Sequence, residues 1–278
     1  MRHVIVGLGS IGQRHLRNLK TLRPDDEFVT VDVNGKADYP ELDYTLEDII
    51  DGSLVYICSP YEHHRTHFYA AYGFGAKGIF VEKPLFAPGI CQPISGSYEC
   101  PIAVGYNHRW HPFFRQLKSS SASIAYLHLY GSEDLSSKYG PTALGTMASH
   151  SIDLGLWLLG DALNSNVLDY GGLSLVGIRH QSGAATHICA SMNSPFRIAT
   201  CTVMRASPED IHKLLEGKPG IQLDEPVQIE HRFVLPDNQM YIDEMVAWLN
   251  YVDTGDPGDL CTFEQALKVQ EIMRGNNG

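Results

Sequence analysis

The stretch Arg2-His-Val-Ile-Val-Gly7-Leu-Gly9-Ser10-Ile11-Gly12 decides how the rest of the chain is read. The β-branched run Val4-Ile5-Val6 leads into Gly7-x-Gly9-x-x-Gly12, and residues 13–22 continue as a helix-forming segment. Strand, glycine turn and helix in that order form the context in which this pattern binds a dinucleotide. Gly7 makes the tight turn, Gly9 lets backbone approach a pyrophosphate, and Gly12 lets helix and strand pack closely. The N–H groups at the helix start, around Ser10 and Ile11, then face the phosphates. Val29-Thr30-Val31 reads as the second strand and ends at Asp32, twenty residues after Gly12. An acid at that place holds a ribose 2′-OH. A 2′-phosphate would meet a like charge there, so NAD is favoured over NADP, with Lys36 close enough to soften the preference.

Working outward, 278 residues are enough for two domains. At 44% hydrophobic and 19% charged the composition is that of a globular protein with a large core. A net charge of −11 argues against a nucleic-acid partner, which needs basic patches. The cysteines at 58, 91, 100, 189, 201 and 261 are scattered, with no C-x-x-C pair. They read as reduced, mostly buried thiols of an intracellular protein. The first strand begins too early for a signal peptide, and no apolar run approaches the roughly 20 residues of a spanning helix. A cytoplasmic protein with no membrane partner is expected.

Further strands are expected at Leu54–Cys58, Gly78–Val81 and Ile102–Gly105, with helices at 45–50 and 63–74. Their near-continuous apolar character suits a parallel sheet covered on both faces. In the 45–50 segment Thr45 is the expected N-cap. After about residue 105 the rhythm changes. Strands at 124–130, 173–179, 184–191, 197–204 and 227–234 alternate apolar with polar residues, as in an antiparallel sheet with one wetted face. An apolar helix at 151–159 interrupts them, and helices near 243–252 and 262–273 close the chain. The expected architecture is α/β plus α+β. Residues 1–105 form a Rossmann domain with a parallel sheet. Residues 106–278 form a substrate-binding and oligomerisation domain with a broad, mainly antiparallel open sheet.

The ordered set Gly7-x-Gly9-x-x-Gly12-x-x-His15, Ser59-Pro60 with His64, and Glu82-Lys83-Pro84 continues with Gly105-Tyr106-Asn107-His108-Arg109, His150-x-x-Asp153 and Met240-Tyr241-Ile242-Asp243-Glu244-Met245. It resembles the Gfo/Idh/MocA oxidoreductases, the glucose–fructose oxidoreductase and inositol dehydrogenase family, nearly from end to end. The resemblance implies that Gly7, Gly9, Ser10, Ile11, Gly12, Asp32, Ser59, Pro60, His64, Glu82 and Lys83 line a nicotinamide dinucleotide site. It implies a small sugar-like substrate near Asn107, Arg109, His150 and Tyr241, with hydride transfer at a hydroxyl-bearing carbon of a sugar, cyclitol or sugar nucleotide. A homodimer or homotetramer through the second sheet is implied as well.

Oxidising an alcohol requires a proton to leave oxygen as hydride leaves carbon. Lys83 follows a strand's carboxyl end, where ligands gather. Beside an oxidised nicotinamide its cationic form is disfavoured, which suits it to relay that proton. His150 is the expected acid–base partner, since imidazole titrates near neutral pH. Arg109 can clamp a carboxylate or phosphate bidentately, or pair with a surface acid.

The family usually places an Asp three or four residues before this histidine; here those positions are Met147 and Thr146. Neither carries a proton at neutral pH. Three alternatives to an ordinary dehydrogenase therefore stand: a dinucleotide-binding scaffold without turnover, a glycoside-cleaving enzyme using NAD transiently, or a sugar-to-sugar hydride exchanger. His63, His64 and His67 share a helix face, but no carboxylate or cysteine completes a ligand set, and no metal is expected.

Overall fold

The computed structural model describes residues 1–88, 98–134, 142–206, 210, 213, 228–234 and 237–275. In chain order the first elements are β1 (Arg2–Val6), α1 (Ser10–Leu22), β2 (Glu27–Val31), α2 (Glu47–Ile50), β3 (Leu54–Ile57), α3 (Tyr61–Gly73), β4 (Gly78–Glu82) and β5 (Ile102–Gly105). Next come α4 (Pro112–Ser119), β6 (Ile124–Asp134), α5 (Ser149–Leu159), β7 (Ala162–Asp169), β8 (Leu173–His180), β9 (Ala185–Ser191), β10 (Asn193–Arg205) and β11 (Gln228–Phe233). The chain ends with α6 (Asn238–Thr254), β12 (Cys261–Thr262) and α7 (Phe263–Arg274). Cys91 and Val227, the latter at the start of an expected strand, lie outside the described residues.

Two compact units result: Met1–Trp110 with Asp237–Gln270, and His111–Pro236 with Glu271–Gly278. The division expected at 105/106 gave the late helices to the second domain, whereas residues 237–270 return to the first unit. Two interactions explain that return. β12 pairs antiparallel with β5, Cys261 beside Val104, and so adds an edge strand to the first sheet. Trp248 of α6 is wholly buried against Phe80 (ring centroids 5.8 Å apart) and Tyr56 (6.5 Å). Asp237 caps α6, accepting from the Met240 N–H at 3.2 Å, and Gly255 ends it at φ +78.

The first unit's sheet has the order β2-β1-β3-β4-β5-β12, and every pair except β5–β12 is parallel. Leu54 to Ile57 and Gly78 to Glu82 are buried throughout, as the apolar runs require. From β1 the chain steps outward to β2, then crosses back to β3 on the other side. That reversal leaves a crevice beyond the carboxyl ends of β1 and β3, where ligands bind in such Rossmann-like sheets. Ahead of α2 a 3₁₀ turn, Tyr44–Leu46, is capped by Asp43 rather than by the expected Thr45. The Asp43 carboxylate accepts from both the N–H and the hydroxyl of Thr45.

The second unit's sheet runs β11-β10-β6-β9-β8-β7, antiparallel except for β6 with β9. α5 packs on one face, over Leu127, Leu129, Val176, Ile178 and Ile188. β7 and α4 are additions to the sequence expectation. β7 is a polar edge strand, Ala-Leu-Asn-Ser-Asn-Val-Leu-Asp, whose composition carries little strand signal. Among the described residues no helix is long and apolar enough to cross a membrane.

Candidate functional site in the first unit

The three glycines after β1 are required by different neighbours. Gly7 has φ +95, and a Cβ there would lie 2.6 Å from the Ser59 backbone nitrogen. A Cβ on Gly12 would lie 1.9 Å from the Gly7 carbonyl oxygen. Both residues are therefore demanded by the protein's own packing. Gly9 is not: its φ of −62 suits any residue, and a Cβ there would meet nothing within 4 Å. The open flank of Gly9 is room for something that the chain does not itself supply.

α1 begins beside that space. Gly9 is its N-cap and offers no side chain, and no acidic residue lies in the first turn. The first N–H groups of a helix have no partner within it and carry the positive end of its dipole. Gly9 and Ser10 are exposed, Ile11 is half-buried and Gly12 is buried. A pyrophosphate fits this N-terminus in charge and in hydrogen bonding.

Asp32, one residue past β2, lies next to the same turn. Its Oδ2 accepts from the Leu8 N–H at 2.5 Å and its Oδ1 from the Asn34 N–H at 2.8 Å. Each oxygen retains a lone pair, so two ribose hydroxyls can donate to a carboxylate whose direction is already fixed. Beyond it, the chain folds straight back: Tyr39 pairs with Val31, and Asp38 accepts from the Thr30 N–H and hydroxyl. Those bonds hold the Asp38 carboxyl below its ordinary range.

At the end of β3 the Ser59 hydroxyl lies 2.9 Å from His67 Nδ1, and Pro60 is exposed. His64 is buried between two backbone carbonyls, with Nδ1 2.9 Å from the Pro84 oxygen and Nε2 2.8 Å from that of Ser59. It thus ties the segment after β3 to the segment after β4. A neutral ring donates to only one of these oxygens. Burial nonetheless holds its pKa below the ordinary value, against the pull of both carbonyls. His67 is drawn down to about 4, by burial first and then by His63 and His64.

Lys83 is half-buried at the end of β4, and the preceding Glu82 turns inward, 7% exposed. Glu82 Oε1 accepts from His15 Nε2 at 2.6 Å, and Oε2 from the Lys83 backbone N–H at 3.2 Å. Glu82, expected to line the cofactor site, has both carboxylate oxygens in these internal hydrogen bonds. His15, quoted in the glycine pattern but not placed among site residues, is its partner. Three residues after Gly12 on α1, it faces the sheet.

Two of the four residues expected to hold substrate, Asn107 and Arg109, are buried, and His150 and Tyr241 are half-buried. Arg109 is 2% exposed, and its Nη1 donates to the Asp259 carbonyl at 3.2 Å and to Gln265 Oε1 at 2.8 Å. With those partners the guanidinium, expected to clamp an anion, ties distant parts of the unit together. Asn107 is buried and hydrogen-bonds the Tyr241 hydroxyl. The Tyr241 ring lies under the Arg14 guanidinium at 4.3 Å, and burial raises its pKa.

His150 belongs to the second unit. It follows a single π-helical turn, Leu144–Ala148, which shifts the helical register ahead of it. Thr146 and Met147 lie within that turn, and a Cβ on Gly131 of β6 would meet the Met147 methyl at 3.2 Å. Met147 therefore packs on the sheet. Asp153, one turn after His150, is fully buried.

No family model matches the sequence, and no curated protein matches it. Solved structures do. A UDP-N-acetylglucosamine 3-dehydrogenase from Acidithiobacillus ferrooxidans superposes with a TM-score of 0.71 at 17% identity, covering 98% of this chain and 95% of its own. The WlbA dehydrogenase of Thermus thermophilus, solved with NAD and α-ketoglutarate, gives 0.72 at 16% identity, covering 99% and 94%. A myo-inositol 2-dehydrogenase from Lactobacillus plantarum gives 0.73 at 16% identity, covering 99% and 95%. The chain shares their fold. At such identities the likeness concerns the fold, and the chemistry rests on the residues above.

Proposed function

We propose that the chain is an NAD-dependent oxidoreductase that moves hydride at a hydroxyl-bearing carbon of a sugar, cyclitol or sugar nucleotide. The observation that carries this reading is the β1–α1 turn. There an uncapped helix N-terminus, the open flank of Gly9 and the fixed Asp32 carboxylate present two phosphate-binding groups and a ribose acceptor side by side. When bound, NAD supplies the hydride acceptor. Asp32 disfavours a ribose 2′-phosphate by charge, so NADP is the weaker ligand. Lys83, at the carboxyl end of β4, holds the reacting hydroxyl and takes its proton, and His150 is the acid–base partner. The names of the similar structures, a sugar-nucleotide dehydrogenase and an inositol dehydrogenase, support the substrate class.

Purified protein should reduce NAD with at least one member of a panel of sugars, cyclitols and sugar nucleotides, read as the absorbance of reduced nicotinamide. Lys83→Ala should abolish that turnover while leaving NAD binding in place; turnover unchanged by Lys83→Ala removes the lysine from the mechanism. The position of Met147, packed on β6 where the family resemblance calls for an acid, favours a second reading, a scaffold that binds NAD without turnover. NAD binding with no turnover on any of the panel would select it.

The open face of the second sheet supports self-association. By register, Leu168, Leu175, Cys189, Tyr130, Thr200 and Phe233 form one row across all six strands. Leu168, Leu175 and Phe233 in it are 47%, 37% and 72% exposed. The neighbouring row carries His187, His128 and His231, and neither row has an acid or a lysine to repel a second copy. A homodimer through this face is the proposed assembly. Sedimentation of Phe233→Glu should show monomer where the unaltered chain shows dimer; a monomeric unaltered chain contradicts it.

A further inference from the structure

Glu82 and His15 are joined across 67 residues of sequence by the 2.6 Å bond described above. The His15 ring is fully buried, with the edges of Phe80 (centroids 5.5 Å apart) and Tyr241 (6.1 Å) set against it. Its other nitrogen, Nδ1, is buried and has no hydrogen-bond partner among the described residues. A ring with its hydrogen on Nε2 donates it to Glu82 Oε1 and leaves only a lone pair on the unpartnered side.

The carboxylate's second oxygen takes the N–H of Lys83. Glycine at 105 makes the arrangement fit, since a Cβ there would lie 3.1 Å from Glu82 Oε1. The peptide between Glu82 and Lys83 decides where the lysine side chain leaves the sheet; one carboxylate oxygen holds it and the other is held by His15. Tyr241, from the late helix α6, closes the pair from outside through its contacts with Arg14 and Asn107.

We propose that His15 and Glu82 are a positioning pair for Lys83, the imidazole holding the carboxylate whose other oxygen fixes the lysine's backbone. This rests on the assignment of Lys83 as the proton-handling group.

The test is the pH dependence of Lys83 acylation by an amine-reactive reagent, read by mass spectrometry on the full chain without coenzyme. Glu82→Gln keeps the shape and an acceptor for the Lys83 N–H but removes the carboxylate's charge from the residue next to the lysine. The labelling midpoint of Lys83 should fall by about half a unit to one unit. Gly105→Ala, which pushes the carboxylate without removing it, should move the midpoint in the same direction by less. It also serves if Glu82→Gln does not fold. Other lysines provide the internal control. An unmoved Lys83 midpoint in a folded variant, with only the melting temperature lowered, overturns the proposal in favour of a purely structural pair. Failure of the unaltered protein to bind NAD would instead overturn the proposed function, leaving the labelling result to stand on its own.

Discussion

Replacing Gly9 by Ala separates folding from coenzyme binding more cleanly than any other single change in the crevice. The added methyl meets nothing within 4 Å, and the backbone at φ −62 and ψ −172 accepts any residue. Alanine is a slightly poorer N-cap than glycine, but it narrows the unfolded ensemble by about 0.4–1 kcal/mol. The two effects oppose each other, so stability should change by less than about 1 kcal/mol. Gly12→Ala is the contrast. A Cβ 1.9 Å from the Gly7 carbonyl forces backbone against backbone, at a cost of about 3 kcal/mol or more. Urea unfolding and NAD titration calorimetry, run on both variants, read the two quantities separately. Gly9→Ala should unfold like the parent yet lose at least about tenfold in NAD affinity, or about 1.4 kcal/mol, because the methyl occupies the place of a phosphate oxygen. Parent-like NAD affinity in a folded Gly9→Ala protein would refute the placement of the pyrophosphate over this turn.

Asp32→Ala should weaken NAD and narrow the gap to NADP in the same titration; an unchanged ratio takes Asp32 off the ribose. Trp248→Ala empties the contact of α6 with Tyr56 and Phe80 and should cost about 3–5 kcal/mol in urea unfolding, whereas a loss below about 1 kcal/mol would show that α6 is not anchored there. His3, His64, His67, His128 and His180 all have pKa values held below the ordinary 6.5, chiefly by burial. The unfolded chain therefore binds more protons in that window, and stability must fall as pH drops below about 6.5 toward the folded values, near 4 for His67. Asp26, Asp38 and Asp43, held low by their hydrogen bonds, act only below about 3.8. Unfolding midpoints that stay flat between about pH 7 and about pH 5 would contradict the burial of these imidazoles.

The parallel sheet was legible because β1, β3, β4 and β5 are compact apolar runs beside glycine or proline, and its pairing follows from short crossovers. The glycine turn was legible for the same local reason. What escaped was set by distant partners. β12 is two residues long and exists only because β5 offers it an edge. Arg109 had the composition of an exposed clamp, yet Asp259 and Gln265, about 150 residues away, satisfy it inside the unit. The pairing of His15 with Glu82 likewise has no sequence spacing to announce it. Only the turn between them and the shared side of the sheet bring the two together. The late Met240–Met245 stretch was singled out, but its attachment to the first unit comes from Trp248 and Tyr241 packing, which periodicity does not reveal.

A crystal structure of the protein with NAD tests the central claim most directly. The pyrophosphate should rest on the N–H groups of Ser10 and Ile11 over Gly9, the adenosine ribose hydroxyls should donate to Asp32, and the nicotinamide should lie beside Lys83. NAD bound elsewhere, or at this turn with its nicotinamide turned away from Lys83, would contradict the account.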